Sequence, residues 1–321
     1  MKLSIRLDEF RCADDSKQMK SLRDAIRPTT FIESAELRDR LGMDVTIASE
    51  TFQHTGSFKF RAAYNVAISV PNDELIGVSS GNFGQGLAYA AKLTGKKCTI
   101  IMPHSSAQVK IDAVRSYGAE VDLIKVNEVS RAQRLAQLAE QRPAAYLASA
   151  FDDKYVIEGN SSLGDELADK AFDAVIVPIG GGGLSSGIIQ SFQRDGVATE
   201  VFAAEPLMGN DAARSLREGH IVANEREPQT IADGARTLSV GDLNWAILKD
   251  GVAGIFEVPE DAIADALRTY FILANLKCEP TGALPLGALT LNKDRFAGKR
   301  VCLVVSGGNV DAAVYAKLLE V

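Results

Sequence analysis

The sequence predicts an α/β protein of two open, mostly parallel lobes, with the functional site in the cleft between them. From about residue 45 onward, short apolar runs alternate with amphipathic segments, an order of elements that is typical of parallel sheets with right-handed crossovers. At 321 residues the chain is too long for one small core. It contains no repeat, low-complexity tract or linker rich in glycine, serine or proline, so we expect ordinary chain crossings to join the lobes.

The first part of the chain is predicted to form a compact β-α-β-α-β-α-β block, preceded by one further strand and helix. Pro71 stops the first helix, and Gly95 supplies a left-handed cap to the second. The predicted strands span 44–49, 75–79, 98–102, 121–126 and 144–148, and the predicted helices span 57–70, 82–94, 105–117 and 129–141.

The second part of the chain repeats the alternation. An apolar run at 173–179, of the kind buried on both faces of a sheet, leads into four consecutive glycines and a helix. The other predicted elements are helices at 153–169 and 261–277, strands at 201–205 and 300–306, a polar irregular segment at 220–251 and a last helix. We expect 71–149 to form a small domain, and 1–70 together with 150–321 to form a large domain.

Composition excludes several classes of function. A net charge of -7 and the lack of a basic run argue against nucleic-acid binding. No apolar run is long enough to span a bilayer, and the N-terminus is charged throughout, so we expect neither a membrane anchor nor a secretory signal. The three histidines are far apart in sequence, which argues against a zinc site built from histidine.

The four cysteines indicate a reducing compartment. Cys12, Cys98, Cys278 and Cys302 are scattered and form no C-x-x-C pair. Cys98 and Cys302 lie inside apolar strand-like runs, where a free thiol behaves as a small hydrophobic group. We therefore expect a cytoplasmic protein.

Lys59 is the first candidate functional residue. It lies between Phe58 and Phe60, just after a Gly-Ser turn. Apolar surroundings lower the pKa of an ammonium group, and a lysine with a lowered pKa acts as a nucleophile or a base. The alternative is a lysine whose stem covers apolar surface while its charged end stays in water.

The four-glycine run, Gly180–Gly183, is the strongest pattern in the chain. It joins a buried strand to a helix, where successive backbone N–H groups and the helix dipole can be directed at one anion. No lysine follows as in an ATP-binding P-loop, and Ser185 and Ser186 break the dinucleotide pattern. A phosphate is the expected ligand, and a tight crossover without a ligand is the alternative.

Two further turns follow predicted strands, where open α/β sheets bind ligands. Ser79–Gly86 has backbone amides suited to a carboxylate, and Asn82 is either a hydrogen-bond donor to a ligand or a helix cap. In the turn at 306–309, the hydroxyl of Ser306 can bond a ring nitrogen without requiring it to be protonated.

These stretches together predict a ligand with an aldehyde, a phosphate, a phenolic oxygen and a ring nitrogen, and pyridoxal 5'-phosphate has all four. The chain resembles the fold-type II pyridoxal-phosphate enzymes of the serine/threonine dehydratase and serine racemase group. The resemblance extends from Arg27-Pro28-Thr29 to Ser306-Gly307-Gly308-Asn309. It implies the two-lobed architecture of the tryptophan synthase β-like fold.

The resemblance also implies a role for each candidate residue. Lys59 would carry the cofactor as a Schiff base and act as the base on one face of the substrate, and Phe58 would pack near the ring. Asn82 would bond the phenolic oxygen, and Ser306 would face the pyridine nitrogen. Ser80 corresponds to the serine that acts on the opposite face in racemases of this group. The expected phosphate-binding residues are Gly180, Gly181, Gly182, Gly183 and Leu184, and the expected substrate-binding residues are Ser79, Ser80, Gly81, Asn82 and Phe83.

The resemblance further implies a structural divalent-cation site. Glu205, Asp211 and the carbonyl of Gly209 match its ligands, and magnesium or calcium prefers such oxygen ligands. The alternative is a polar strand-to-helix turn without an ion.

Three replacements and one arginine bear on the substrate. Ala62 replaces the usual glycine, Phe83 replaces the usual loop histidine, and 159–162 (Gly-Asn-Ser-Ser) replaces a more usual G-Q-G-T run. Arg131 resembles an arginine that closes the site of the racemase. Because of the three replacements, the sequence determines the identity of the substrate less well than that of the cofactor.

The predicted activity is β-elimination from a small 3-hydroxy amino acid such as serine, threonine or 3-hydroxyaspartate, giving a 2-oxo acid and ammonia. A racemase using Lys59 and Ser80, a β-replacement enzyme and a non-catalytic sensor of the cofactor or an amino acid are the alternatives. We expect a homodimer, the common assembly.

Overall fold

The computed structural model describes residues 21–106 and 108–320. Cys12 and the charged N-terminal segment lie outside these ranges. The strands of the described chain are β1 (Thr30–Ile32), β2 (Asp44–Ser49), β3 (Glu74–Val78), β4 (Lys97–Pro103), β5 (Glu120–Ile124), β6 (Tyr146–Ala148), β7 (Ala174–Pro178), β8 (Glu200–Pro206), β9 (Gly254–Val258) and β10 (Arg300–Val305). The helices are α1 (Leu22–Ala25), α2 (Ala35–Leu41), α3 (Lys59–Ser69), α4 (Asn82–Thr94), α5 (Gln108–Ser116), α6 (Arg131–Gln141), α7 (Lys154–Ala168), α8 (Gly183–Asp195), α9 (Asp211–Glu218), α10 (Asp242–Gly251), α11 (Glu260–Ala274), α12 (Pro280–Leu291) and α13 (Ala312–Leu319).

The strands form two sheets, as the predicted fold class requires. One has four parallel strands in the order β5-β4-β3-β6, and the other has six in the order β1-β2-β10-β7-β8-β9. Within the described residues only β1 runs antiparallel to its neighbour. Helices cover both faces of these sheets, and separate apolar clusters fill the layers between them. None of the described helices has the length and apolar character needed to cross a bilayer.

The sequence patterns do not predict α12, the central helix of the larger lobe. It is buried from Pro280 to Leu289 and packs against β7, β8 and β10. A helix that is apolar all round has no amphipathic period, and Pro285 in its interior is a residue that usually ends a helix. These patterns also do not predict β1, α2 and β9, and α11 ends at Ala274, short of residue 277. Asn275 caps α11 with a left-handed φ of 49°.

A buried ion network holds α3 in place. Arg61 is fully buried and donates from Nε and Nη2 to the two carboxylate oxygens of Glu50, each at 2.8 Å. Its Nη1 lies 2.8 Å from Glu166 Oε1 on α7 and 3.1 Å from Ser162 Oγ. Removing one partner of a buried pair costs about 3–5 kcal/mol. The network therefore ties the helix that begins with Lys59 to the end of β2 and to α7.

The polar segment at 220–251 contains a regular helix, α10, at its end. The carboxylate of Asp152 accepts hydrogen bonds from the backbone N–H groups of Asp242 (3.1 Å) and Leu243 (2.9 Å). This carboxylate offsets the positive end of the helix dipole, and it fixes α10 against the loop between β6 and α7, to which Asp152 belongs.

Candidate active site

A cleft of about 360 Å³ lies between the two lobes, within the range of small-molecule sites. It is lined by the turns that follow β3, β7 and β10, together with the start of α3. All the residues predicted to bind cofactor or substrate line it: Phe58, Lys59, Ser79, Ser80, Gly81, Asn82, Phe83, Gly180, Gly181, Gly182, Gly183, Leu184 and Ser306. Parallel sheets therefore bring together residues that are far apart in sequence.

Lys59 is the first residue of α3, and its amine faces the cleft. Nζ donates to the carbonyl of Ala150 at 2.7 Å and lies 5.0 Å and 5.8 Å from the ring centres of Phe58 and Phe83. Burial lowers the pKa of Lys59 to about 8, and the negative charge of Glu279 partly opposes this shift. The neutral form of this amine is therefore easier to reach than that of an exposed lysine. The solvated-lysine alternative does not fit this environment.

The glycine turn, Gly180–Gly183, lines the cleft. Within the described residues, the N–H groups of residues 180–184 donate to no other backbone group. Two carbonyls of the turn accept hydrogen bonds from asparagine side chains. Asn244 Nδ2 donates to the Gly181 carbonyl at 3.0 Å, and Asn160 Nδ2 donates to the Gly183 carbonyl at 3.0 Å. Asn160 belongs to the 159–162 replacement, and its amide here supports the turn.

Two positions of this turn require glycine. A Cβ atom at Gly181 would lie 2.2 Å from the ring of Phe151. Gly182 has a φ of 96°, which side-chain-bearing residues rarely adopt, and a Cβ there would lie 2.9 Å from the Asn244 side chain. The turn is therefore a close-fitting cradle at the N-terminus of α8, which suits an anion.

Asn82 is the first residue of α4 but does not cap it, because Gly81 holds the cap position and no side chain bonds there. Its Nδ2 donates to Glu279 Oε1 (2.9 Å) and Oε2 (3.0 Å), and its Oδ1 accepts from Asn309 Nδ2 (2.9 Å). The helix-cap alternative is therefore wrong.

Ser306 and Ser80 present hydroxyl groups to the cleft. Ser306 is 1% exposed, and its Oγ has no hydrogen-bond partner among the described residues. Its carbonyl accepts the N–H of Phe58 at 3.0 Å, which fixes it beside the start of α3. Ser80 is partly buried in the wall of the cleft.

Two ion pairs cross the mouth of the cleft. Lys110 on α5 lies 3.3 Å from Asp233, and Arg131 on α6 lies 3.9 Å from Glu227. Each pair joins a helix that packs on the four-stranded sheet to the segment between α9 and α10. Both are solvent-exposed, so each contributes less than about 1 kcal/mol.

The cleft is also lined by four residues that no sequence pattern had indicated: Glu279, Lys110, Asp233 and Thr237. Glu279 is the most informative, because it is 3% exposed and its carboxylate meets Asn82. A charged residue directly before a proline, in an otherwise apolar stretch, is the sequence pattern that could have identified it.

The predicted cation ligands lie apart from the cleft, with Glu205 near the end of β8, Gly209 in the turn that follows it and Asp211 at the start of α9. Burial raises the pKa of Glu205 to about 8, and the neighbouring charge of Asp211 adds to this. Burial likewise raises the pKa of Asp211 to about 7, and its Oδ2 has no hydrogen-bond partner among the described residues. Both Glu205 oxygens accept backbone N–H groups of α9, from Ala213 at 2.7 Å and Ala212 at 3.1 Å. In the described chain, no three His, Cys, Asp or Glu side chains are grouped to hold a metal.

The cleft fits pyridoxal phosphate by its chemistry. The glycine turn offers unpaired N–H groups for a phosphate, and Lys59 offers an amine for an aldehyde. The buried, unpartnered hydroxyl of Ser306 is suited to a ring nitrogen.

Comparisons with known proteins agree with this fit. The family model described as "Pyridoxal-phosphate dependent enzyme" matches residues 22–307. The L-threo-3-hydroxyaspartate ammonia-lyase of Saccharomyces cerevisiae is 36% identical over 308 residues, covering 93% of this chain and 93% of that protein. The serine racemase of Dictyostelium discoideum is 35% identical over 316 residues, covering 96% and 97%. Among solved structures, that of a serine racemase from Dictyostelium discoideum superposes with a TM-score of 0.84 at 35% identity, covering 90% of this chain and 95% of that one.

Proposed function

The chain belongs to the family of pyridoxal-phosphate dependent enzymes, and from this premise we propose that it catalyses β-elimination from a small 3-hydroxy amino acid. The products are a 2-oxo acid and ammonia. Relatives named L-threo-3-hydroxyaspartate ammonia-lyase and beta-hydroxyaspartate dehydratase, at 36% and 35% identity, support this reaction class. Serine, threonine and 3-hydroxyaspartate are the proposed substrates.

One observation carries the proposal. An amine with a lowered pKa, Lys59, lines the same cleft as a turn of unpaired backbone N–H groups and a buried, unpartnered serine hydroxyl. Pyridoxal phosphate, when bound there, supplies an electron sink for the negative charge that develops at the substrate Cα. The glycine turn and Leu184 would hold its phosphate, Phe58 would pack beside it, and Ser306 would meet its ring nitrogen.

The protein residues supply positioning and proton transfer. The neutral amine of Lys59 accepts the Cα proton, which a protonated lysine could not do. The N–H groups of Ser80, Asn82 and Phe83 bind the substrate carboxylate, because those of Ser79 and Gly81 already donate within the protein. Phe83 keeps that side of the cleft apolar. The ion pairs across the mouth favour approach of the two lobes, which excludes water from the cleft.

The experiment is an assay of the purified protein with pyridoxal phosphate and a panel of amino acids. We expect 2-oxo acid and ammonia in equal amounts from at least one 3-hydroxy amino acid. Release of neither product from serine, threonine or 3-hydroxyaspartate would contradict the proposal.

Racemisation is the second candidate function, and the position of Ser80 favours it. Ser80 lines the cleft together with Lys59, and its hydroxyl is the proposed second proton donor. The 35% identity to a protein named serine racemase supports the same candidate.

Replacing Ser80 with alanine separates the two reactions. We expect Ser80→Ala to lower the rate of inversion by roughly 10²-fold or more, because one face of Cα loses its proton donor, while elimination stays within about threefold. Chiral chromatography and oxo-acid release measure the two rates. Ser116→Ala, an exposed serine at the end of α5, is the control. Equal loss of both reactions, or of neither, would contradict a two-base mechanism.

We also propose a structural cation at Glu205, Asp211 and the carbonyl of Gly209. The buried, unpartnered oxygen of Asp211 beside a second buried carboxylate supports it, since a divalent ion would remove their repulsion.

Addition of magnesium or calcium is expected to raise the melting temperature of the protein. At a concentration one hundred times the dissociation constant, the stabilisation is about 2.7 kcal/mol. Thermal unfolding with and without chelator measures it. Asp211→Asn should lose most of the response, whereas Asp165→Asn, on the surface of α7, should keep it. A wild-type protein that does not respond to either ion would exclude the site.

Three broader assignments complete the proposal. The domain limits are 71–149 for the small domain, with 1–70 and 150–321 for the large one. Cys98, Cys278 and Cys302 are buried free thiols, which supports a reducing, cytoplasmic location. Light scattering tests the proposed homodimer.

A further inference from the structure

Glu279 is a buried carboxylate to which the proposed reaction gives no role. It is 3% exposed and holds the cap position of α12, yet its side chain makes no capping bond. Both of its oxygens instead accept from Asn82 Nδ2, at 2.9 Å and 3.0 Å. Burying a charged carboxylate costs free energy of folding. A buried carboxylate in contact with a cleft residue is therefore a candidate for a functional role.

The Asn82 amide is held at both ends. Glu279 accepts from its Nδ2, and Asn309 Nδ2 donates to its Oδ1 at 2.9 Å. Asn309 is itself anchored, because the same nitrogen donates to the Thr55 carbonyl at 2.7 Å. If the Asn82 amide rotated by 180°, its oxygen would face the carboxylate and its NH₂ group would face the NH₂ group of Asn309. Both contacts would be repulsive, so only one orientation is stable.

Charged groups from several elements surround this carboxylate. Lys59 on α3 and Lys110 on α5 are positive, and Asp233, in the turn before α10, is negative. Burial raises the pKa of Glu279 to about 7, and Asp233 adds to this. The hydrogen bond from Asn82, the charge of Lys110 and the backbone N–H of Asn309 oppose the shift.

We propose that Glu279 is a positioning residue that fixes the Asn82 amide with its N–H group toward the phenolic oxygen of the bound cofactor. The inference rests on the proposed function and on the role of Asn82 within it. A donor at this place stabilises the ionised phenolic oxygen, whereas a rotated amide would present its carbonyl and require that oxygen to be protonated. Glu279 therefore controls the electronic state of the cofactor without touching the substrate.

Two substitutions of Glu279 separate orientation from charge. Glu279→Gln keeps an oxygen that accepts from Asn82, so the amide orientation survives. Glu279→Leu removes the acceptor and leaves Asn82 free to rotate. We expect the leucine variant to bind pyridoxal phosphate roughly 10- to 100-fold more weakly, with a smaller fraction of the cofactor in its visible absorption band. Its kcat should fall more than its KM changes, and the glutamine variant should stay within about threefold of wild type.

The measurements are absorption spectra at fixed pH, titration of each protein with pyridoxal phosphate, and thermal unfolding to check folding. Asn309→Ala leaves Glu279 to hold the amide and should therefore shift the spectrum less than the leucine variant does. The glutamine variant keeps the test decisive if the leucine variant does not fold. A leucine variant with the spectrum and affinity of wild type would overturn the inference. A glutamine variant as impaired as the leucine variant would also overturn it, because charge and not orientation would then matter. If the wild type itself stays colourless with the cofactor, the proposed function fails first, and the inference fails with it.

Discussion

Lys59→Ala is expected to leave a protein that folds but releases 2-oxo acid at least about 10³-fold more slowly than wild type. The substitution removes the amine that we propose would both hold the cofactor aldehyde and accept the Cα proton. The rest of the cleft, including the glycine turn, keeps its geometry because the Arg61 network anchors α3 independently of residue 59. Steady-state assays give the rate.

The visible absorption of the protein provides a second measurement. Wild type incubated with pyridoxal phosphate and then gel-filtered should stay yellow, and Lys59→Ala should not. Lys154→Ala is the matched control, because this lysine is exposed at the start of α7 and does not line the cleft. An alanine variant at position 59 that retains both colour and turnover would remove the basis of the proposed mechanism.

Gly181→Ala is expected to weaken the binding of pyridoxal phosphate by roughly 10- to 100-fold. Its Cβ would lie 2.2 Å from the Phe151 ring, so either the ring or the turn must move. Overpacking of this kind costs about 1–3 kcal/mol, and a displaced turn no longer directs its N–H groups at one phosphate. Fluorescence or absorption titration of the apoprotein with the cofactor measures the loss.

The loss of cofactor affinity should be specific to substitutions in the glycine turn. Gly254→Ala, at the start of β9 in the same sheet, adds a Cβ whose nearest neighbour is 3.5 Å away, and we expect cofactor affinity close to wild type. High phosphate should compete with the cofactor in wild type and compete more weakly in Gly181→Ala. Unchanged affinity in the alanine variant would show that the cradle does not depend on this glycine.

Much of the candidate site was visible in the sequence because its chemistry is carried by local patterns. Four glycines between a buried strand and a helix restrict the backbone wherever they occur, and a lysine flanked by phenylalanines is unusual at any position. The alternation of strands and helices likewise predicted two sheets, since parallel pairing follows from the order of elements.

What escaped prediction depends on distant parts of the chain. The helix α12 has no polar face because it is surrounded by its own lobe, so the periodicity that identifies surface helices is missing. β1 is a three-residue strand that depends on β2 for its hydrogen bonds. Glu279 was overlooked for the same reason, since its partner Asn82 lies 197 positions earlier in the chain.

The sequence by itself therefore determined the order of the elements, the turn that can hold a phosphate and the lysine with an unusual environment. These depend on backbone freedom and on neighbours within a few residues. Only the tertiary structure decided which polar groups meet in the cleft, how the Asn82 amide is oriented and which carboxylates are buried together. Such contacts form between residues brought close by the two sheets, and burial gives them energies and pKa values that no local pattern contains.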